Sequence, residues 1–339
     1  MHCNSNYNSH RSRKHLATSD KERSVLNWCQ ERISLRTFAI VNQKGGCGKT
    51  TTSINLAAVY ARRGLRTLLV DMDPQAHCAA GLGVPEEQIE HSIGDAMVAR
   101  HDETLDKELY LWEITRNLHL APSTMMLTAL EAPGSVLQNM PDRDRRLEGV
   151  LKLWSKDFDR CVIDCPPNIG LLTYNALRGA TEALIPVETG YFSLRGARRQ
   201  RKTIDALIAR IGKPLACRII PSIHRPSPLA RTLLQRLRES FAPEVAPIVI
   251  RDHETLREAA SFGQPVCEFA PGSEAERDFE DLVQWLEDIY TPPAPIVEVA
   301  SGHGSRAAEL ALRVASFSKQ QSPVIGRITP QEGNDASKF

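Results

Sequence analysis

No stretch of this chain approaches the ~20 consecutive apolar residues that a membrane-crossing helix requires. Its first residues also lack the apolar core of a secretory signal. Those absences lead to the expectation of a soluble, cytoplasmic protein with no stable membrane insertion. Net charge is nearly absent too, at +1 over 339 residues of which 24% are charged. A polyanionic partner therefore has to be met by local clusters of charge. Eight cysteines, at 3, 29, 47, 78, 161, 165, 217 and 267, include no C-x-x-C pair. Dispersed thiols suit a reduced compartment better than a disulfide framework or a zinc site. The length allows one large α/β domain with appendages.

What the chain does have is a dense stretch from Phe38 to Thr51. An apolar run, Phe38-Ala39-Ile40-Val41, stops at the polar loop Asn42-Gln43-Lys44-Gly45-Gly46-Cys47-Gly48-Lys49, and an Ala- and Leu-rich helical pattern starts near Thr50. Strand, glycine-rich loop and helix in that order make a phosphate cradle. Backbone N–H groups of residues 44–51 can point at phosphate oxygens, and the helix adds its positive end. Lys49 is placed to reach the β/γ-phosphates and the Thr50 hydroxyl to ligate Mg²⁺. The ordinary P-loop pattern asks for glycine at position 43, where this chain has Gln43, and it carries a second lysine, Lys44.

That variant, Lys44-Gly45-Gly46-Cys47-Gly48-Lys49-Thr50-Thr51, resembles the deviant Walker A loop of the ParA/MinD-type ATPases, and most of all their ParA/Soj partitioning branch. The resemblance implies a P-loop fold: a doubly wound, mostly parallel α/β sheet flanked by helices. It implies ATP and Mg²⁺ as cofactors, Lys49 acting on its own subunit's nucleotide, and Lys44 reaching across a homodimer to the partner's. Further along, Thr67-Leu68-Leu69-Val70-Asp71 reads as a buried strand ending in acid, followed by Met72-Asp73-Pro74. Carboxylates at the C-terminal ends of parallel strands lie where such sheets bind ligands. The resemblance assigns Asp73 to orienting the attacking water and Asp71 to the surroundings of the magnesium. Cys161-Val162-Ile163-Asp164-Cys165-Pro166-Pro167 reads as a Walker B strand delivering Asp164 to the metal through a water. Cys161 and Cys165 flank it as small core residues.

The ATPase domain is expected over residues 37–290, with strands near 118–122, 182–187, 215–220 and 247–250. Helices are expected near 86–99, 143–156, 193–211, 229–241, 253–262 and 274–289. Residues 1–36 form a basic extension with one possible helix over 19–33, read either as a docked tail or as a DNA-binding arm. Residues 291–339 begin with the Pro-rich run Thr291-Pro292-Pro293-Ala294-Pro295 and continue as a tail. In the tail the apolar residues of 305–317 do not keep to one side of a helix, as a membrane-binding helix would require. Two turns depart from the family: Glu188-Thr189-Gly190-Tyr191 stands where relatives carry Gln-Thr-Glu-Tyr, and His224-Arg225-Pro226-Ser227 where they carry Asp-x-Arg-Thr.

Arg195, Arg198, Arg199 and Lys202 share a helix face through their three- and four-residue spacing. Such a face can neutralise DNA phosphates without reading sequence, and Arg251 and Arg257 are candidates to extend it. The function so implied is a nucleoid-associated ATPase that forms an ATP-sandwich dimer, binds DNA non-specifically and segregates DNA with a ParB-like activator. The alternative is a positioning ATPase acting on a protein cargo or membrane. A cluster-carrying enzyme is disfavoured by the scattered cysteines.

Overall fold

The computed structural model describes residues 35–290, apart from 102–104 and 190–192. The tail expectations, including the helix over 19–33 and the segment 305–317, fall outside the described residues.

The chain opens with strand β1 (Arg36–Ile40), helix α1 (Lys49–Arg62) and β2 (Thr67–Asp71). Then come α2 (His77–Gly81), α3 (Ile93–Val98), the strands β3 (Trp112–Thr115) and β4 (Leu118–Ala121), and the short helices α4 (Met126–Glu131) and α5 (Val136–Asn139). Next are α6 (Arg146–Trp154), β5 (Arg160–Asp164), α7 (Leu171–Gly179), β6 (Glu182–Glu188), α8 (Ser193–Ile211) and β7 (Ala216–Ser222). The helices α9 (Pro228–Phe241), α10 (Glu254–Ser261), α11 (Val266–Phe269) and α12 (Glu274–Asp288) complete it.

The seven strands form one sheet in the order β3-β4-β2-β5-β1-β6-β7. All neighbours are parallel except the edge pair β3–β4. Side chains alternate between two buried layers, as pleating dictates. Phe38, Ile40, Leu69 and Val162 pack with α1 and α12 on one face. Ala39, Val41, Leu68, Val70 and Ile163 pack with α3, α6, α7 and α8 on the other. Runs that are apolar on both faces are what a central parallel sheet requires.

Three expectations need correction. Residues 247–250 form no strand: beyond β7 only single pairings occur, Ile219 with Val245 and His224 with Arg251. Pro243 and Pro247 lack the N–H donors that a continuous ladder needs. The helix expected over 86–99 is broken into a tight turn at Glu86–Gln88 and α3. Ser92 caps α3 reciprocally with Asp95, which fixes its start. The edge strand β3 is not among the expected strands, and its register shifts between Glu113 and Thr115.

Candidate nucleotide-binding site

The site lies at the C-terminal ends of β1, β2 and β5. Parallel register sets Ile40 beside Asp164 and Asp164 beside Asp71, so three adjacent strands end together. Asn42 fixes the start of the loop: its Oδ1 accepts from the Lys44 N–H at 2.9 Å, and its Nδ2 donates to the Pro186 carbonyl at 2.6 Å. Gly46 and Gly48 have φ of 69° and 88°, the left-handed region that a side chain resists. Gly48 is also the N-cap of α1, so the loop turns directly into the helix. The Ser222 hydroxyl, at the end of β7, donates to the Cys47 carbonyl at 3.0 Å.

The two lysines differ sharply. Lys49 is 8% exposed and lies folded over its own loop, its Nζ 3.5 Å from the Lys44 carbonyl. Lys44 has a side chain 59% exposed, and its Nζ pairs with Glu188 at the end of β6. One lysine faces inward and the other leaves the loop.

Below the loop lies a fully buried acid cluster. Asp164 accepts from the Thr50 hydroxyl at 2.7 Å and from the Ser53 hydroxyl at 2.8 Å. The Cys78 thiol lies 3.6 Å from the same carboxylate. Asp71 accepts from the backbone N–H groups of Asp73 and Cys78 at 2.9 and 3.0 Å. Burial pushes the Asp164 carboxyl up to about 6, against the Thr50 and Ser53 hydrogen bonds. Burial, then the neighbouring Asp164, raises Asp71 well above the carboxylate range. Two buried carboxylates side by side are costly even with the Lys49 charge nearby, and a divalent cation relieves that cost. Thr50 and the carboxylates offer hard oxygen donors of the kind Mg²⁺ prefers, so the residues present fit the ion. Asp71 already gives both oxygens to backbone donors, which suits a supporting position better than direct ligation.

Asp73 is 6% exposed; its Oδ1 accepts from the Gln75 N–H at 3.1 Å, and its carbonyl accepts from Ser123. Cys47 is buried and burial raises its thiol pKa, which disfavours the reactive thiolate. Ser53, Cys78, Asn42 and Ser222 were not singled out in the sequence. Ser53 had a usable signal, since it sits one helical turn after Lys49; for Cys78 there was none.

Beside Gly46 and Gly48 lies a hollow of about 330 Å³, walled by Ile223, Ile250 and Leu256 with Arg225, Arg251 and Asp252 on its rim. Arg225 on that rim belongs to the turn His224-Arg225-Pro226-Ser227. Ile223 has φ of 47°, an uncommon angle for a β-branched residue. His224 Nδ1 lies 2.8 Å from the Thr189 hydroxyl, joining the two unusual turns.

The basic candidates separate into two groups. Arg195, Arg198, Arg199 and Lys202 are exposed on α8. Arg201, on a different side, pairs with Asp205 and Glu244, whereas among the described residues no carboxylate pairs with those four. Arg251 instead pairs with Asp278 at 2.7 Å and Glu274 at 3.0 Å. Arg257 pairs with Asp252 at 2.7 Å and Glu254 at 2.5 Å. Their charge is paired within the chain, unlike that of the α8 set.

A family profile described as "AAA domain" matches residues 35–217, the span from β1 into β7. The chain is also 34% identical over 267 residues to the chromosome partitioning protein ParA of Myxococcus xanthus, covering 78% of this chain and 92% of that one. It belongs to the ParA/MinD-type ATPase family. A second ParA-branch relative is the sporulation initiation inhibitor protein Soj of Bacillus subtilis, 32% identical over 253 residues, 74% of this chain and 97% of that one. Among solved structures, cobyrinic acid a,c-diamide synthase from Mycobacterium smegmatis with bound ADP and magnesium matches with a TM-score of 0.63 at 25% identity. That match covers 75% of this chain and 94% of the other. The seven-stranded sheet is thus the P-loop fold that the sequence resemblance implied.

Proposed function

We propose that this family member is a partitioning ATPase whose ATP-bound form is a sandwich dimer that holds DNA non-specifically. The observation that carries this reading is the divergence of the two loop lysines. Lys49 is turned onto its own loop, while Lys44 is exposed and pairs with Glu188. A lysine meant for its own nucleotide has no reason to leave the loop, whereas one meant for a facing subunit must. The ADP and magnesium of the solved relative agree with ATP and Mg²⁺ as cofactors here.

The N–H groups of residues 44–51 and the start of α1 would bind the phosphates. Thr50 and Asp164, with Asp71 in support, would hold Mg²⁺, which would supply charge neutralisation to the phosphates. Asp73 would orient a water for in-line attack on the γ-phosphorus, with Lys49 and the partner's Lys44 stabilising the charge that develops. Loss of the γ-phosphate removes the anion that both lysines share, so the dimer opens. The exposed cations Arg195, Arg198, Arg199 and Lys202 of α8 would meet DNA phosphates in the closed dimer. Slow intrinsic turnover, raised by a ParB-like activator, is the behaviour expected if this chain is a partitioning ATPase.

The test is binding to random-sequence DNA with ATP and with ADP, using the wild type and an Asp73→Ala variant. Salt-sensitive binding that requires ATP and persists in Asp73→Ala is the expected result. A dimer that forms with ATP yet ignores DNA would move the function to a protein or membrane cargo.

A further inference from the structure

The inner side of α8 packs on the sheet through Ala197, Ile204, Leu207 and Ile211, all buried. Their spacing is that of one helical stripe, and position 200 falls within it. Gln200 stands there, a polar residue only 4% exposed in an otherwise apolar row. Its Oε1 accepts a hydrogen bond from the Gln43 backbone N–H at 3.2 Å. Its Nε2 is buried and has no partner among the described residues. Buried carboxamides are seldom left half satisfied. Gln200 and Arg199 share a hollow of about 290 Å³ with Asn42, Gln43, Lys44 and Glu188. One residue of this helix thus touches the phosphate loop just before Lys44, while its neighbours 198, 199 and 202 carry the exposed cations.

We propose that Gln200 is a positioning residue that couples the state of the phosphate loop to the orientation of the basic face of α8. The inference rests on the sandwich-dimer reading, because the movement it needs is that of Lys44. In the structure Glu188 holds Lys44 against β6, and Asn42 ties the Lys44 N–H to the Pro186 carbonyl. When Lys44 leaves for a facing phosphate, the ion pair breaks and the backbone at 43–44 shifts. Gln200 then loses its donor, and a buried acceptor without a donor is costly. The carboxamide follows the loop or finds a new partner, and α8 moves with it. Each state of the loop therefore has its own arrangement of α8, which is the differential interaction that ligand-driven change requires. By reciprocity, DNA on α8 should tighten nucleotide binding.

The experiment is amide hydrogen exchange across residues 195–205 of the full chain, with and without a non-hydrolysable ATP analogue plus magnesium. It is run on wild type, Gln200→Met, which fills the space without an acceptor, and Gln200→Glu, which keeps one. In wild type and Gln200→Glu the exchange rates should differ at least about fivefold between states, the scale of one hydrogen bond. In Gln200→Met the difference should fall below about twofold at saturating analogue. DNA affinity, measured alongside, should lose its dependence on the analogue in Gln200→Met alone. A wild-type α8 indifferent to the analogue overturns the proposal, whatever becomes of the variants. So does a Gln200→Met chain that keeps the wild-type response, or a Gln200→Glu chain that fails to restore it. If α8 responds but no state binds DNA, the DNA reading falls and the coupling stands.

Discussion

Lys49, Asp71 and Asp164 are buried, and the two carboxylates accept hydrogen bonds from named donors on neighbouring elements. Arg195, Arg198, Arg199 and Lys202 are exposed, with no carboxylate partner among the described residues. The acid cluster of the nucleotide end is buried and specified by packing, while the α8 face is open and specified only by charge. The difference shows where each kind of chemistry can be built. Phosphate transfer needs fixed donors in a low-dielectric setting, whereas binding a uniform polyanion needs only accessible cations. Arg251 and Arg257 make the contrast sharper, because they are as basic as the α8 set yet bound to Asp278, Glu274, Asp252 and Glu254.

The comparison is broken most severely at its buried end. Lys49→Ala removes the charge over the loop, and hydrolysis measured by phosphate release should fall at least about a hundredfold. Asp73→Ala should lower hydrolysis on a similar scale while the ATP-dependent dimer persists in sedimentation, because Asp73 acts on water and not on closure. On the open end, reversing Arg198 and Lys202 together to Glu should weaken DNA binding about tenfold or more, with a salt slope shallower by about 2. Arg257→Ala should change DNA affinity less than about twofold, since exposed, already paired charges contribute little. Equal losses from both sites would erase the distinction between open and compensated arginines.

The smallest effect concerns stability. Asp164→Asn keeps an acceptor for Ser53, and the Thr50 hydroxyl can rotate to accept from the new amide. Without magnesium the variant should therefore be more stable by about 1 kcal/mol at neutral pH. The sign follows from the carboxyl of Asp164, raised from 3.8 to about 6. The folded wild type holds that proton more tightly than the unfolded chain, so its stability falls as pH rises from about 4 through 6. The advantage of Asp164→Asn should vanish below about pH 4, which thermal melts in a chelator would show.

Much of this was legible in the chain because the buried end has strong local grammar. The strand before Asn42, the glycines and the acids at the ends of β2 and β5 each follow from packing or phosphate geometry, and they occur in a fixed order. Tertiary partners were not legible. Ser53 and Cys78 meet Asp164 only because α1 and α2 fold onto β5, and Gln200 looked like one more polar residue until its row proved buried. The carboxylates that hold Arg251 and Arg257 include two from α12, more than twenty residues along. The expected strand over 247–250 does not form, and Pro247, which lacks an N–H donor, stands within it.

The central claim is that Lys44 serves the facing subunit and Lys49 its own. The direct test mixes two inactive variants, Lys44→Ala and Lys49→Ala, and measures ATP hydrolysis while sedimentation follows the mixed dimer. In a mixed dimer the Lys44→Ala subunit keeps its own Lys49 and receives Lys44 from its neighbour, so one site is complete and hydrolysis should return. A mixed dimer that forms and stays inactive would contradict the assignment.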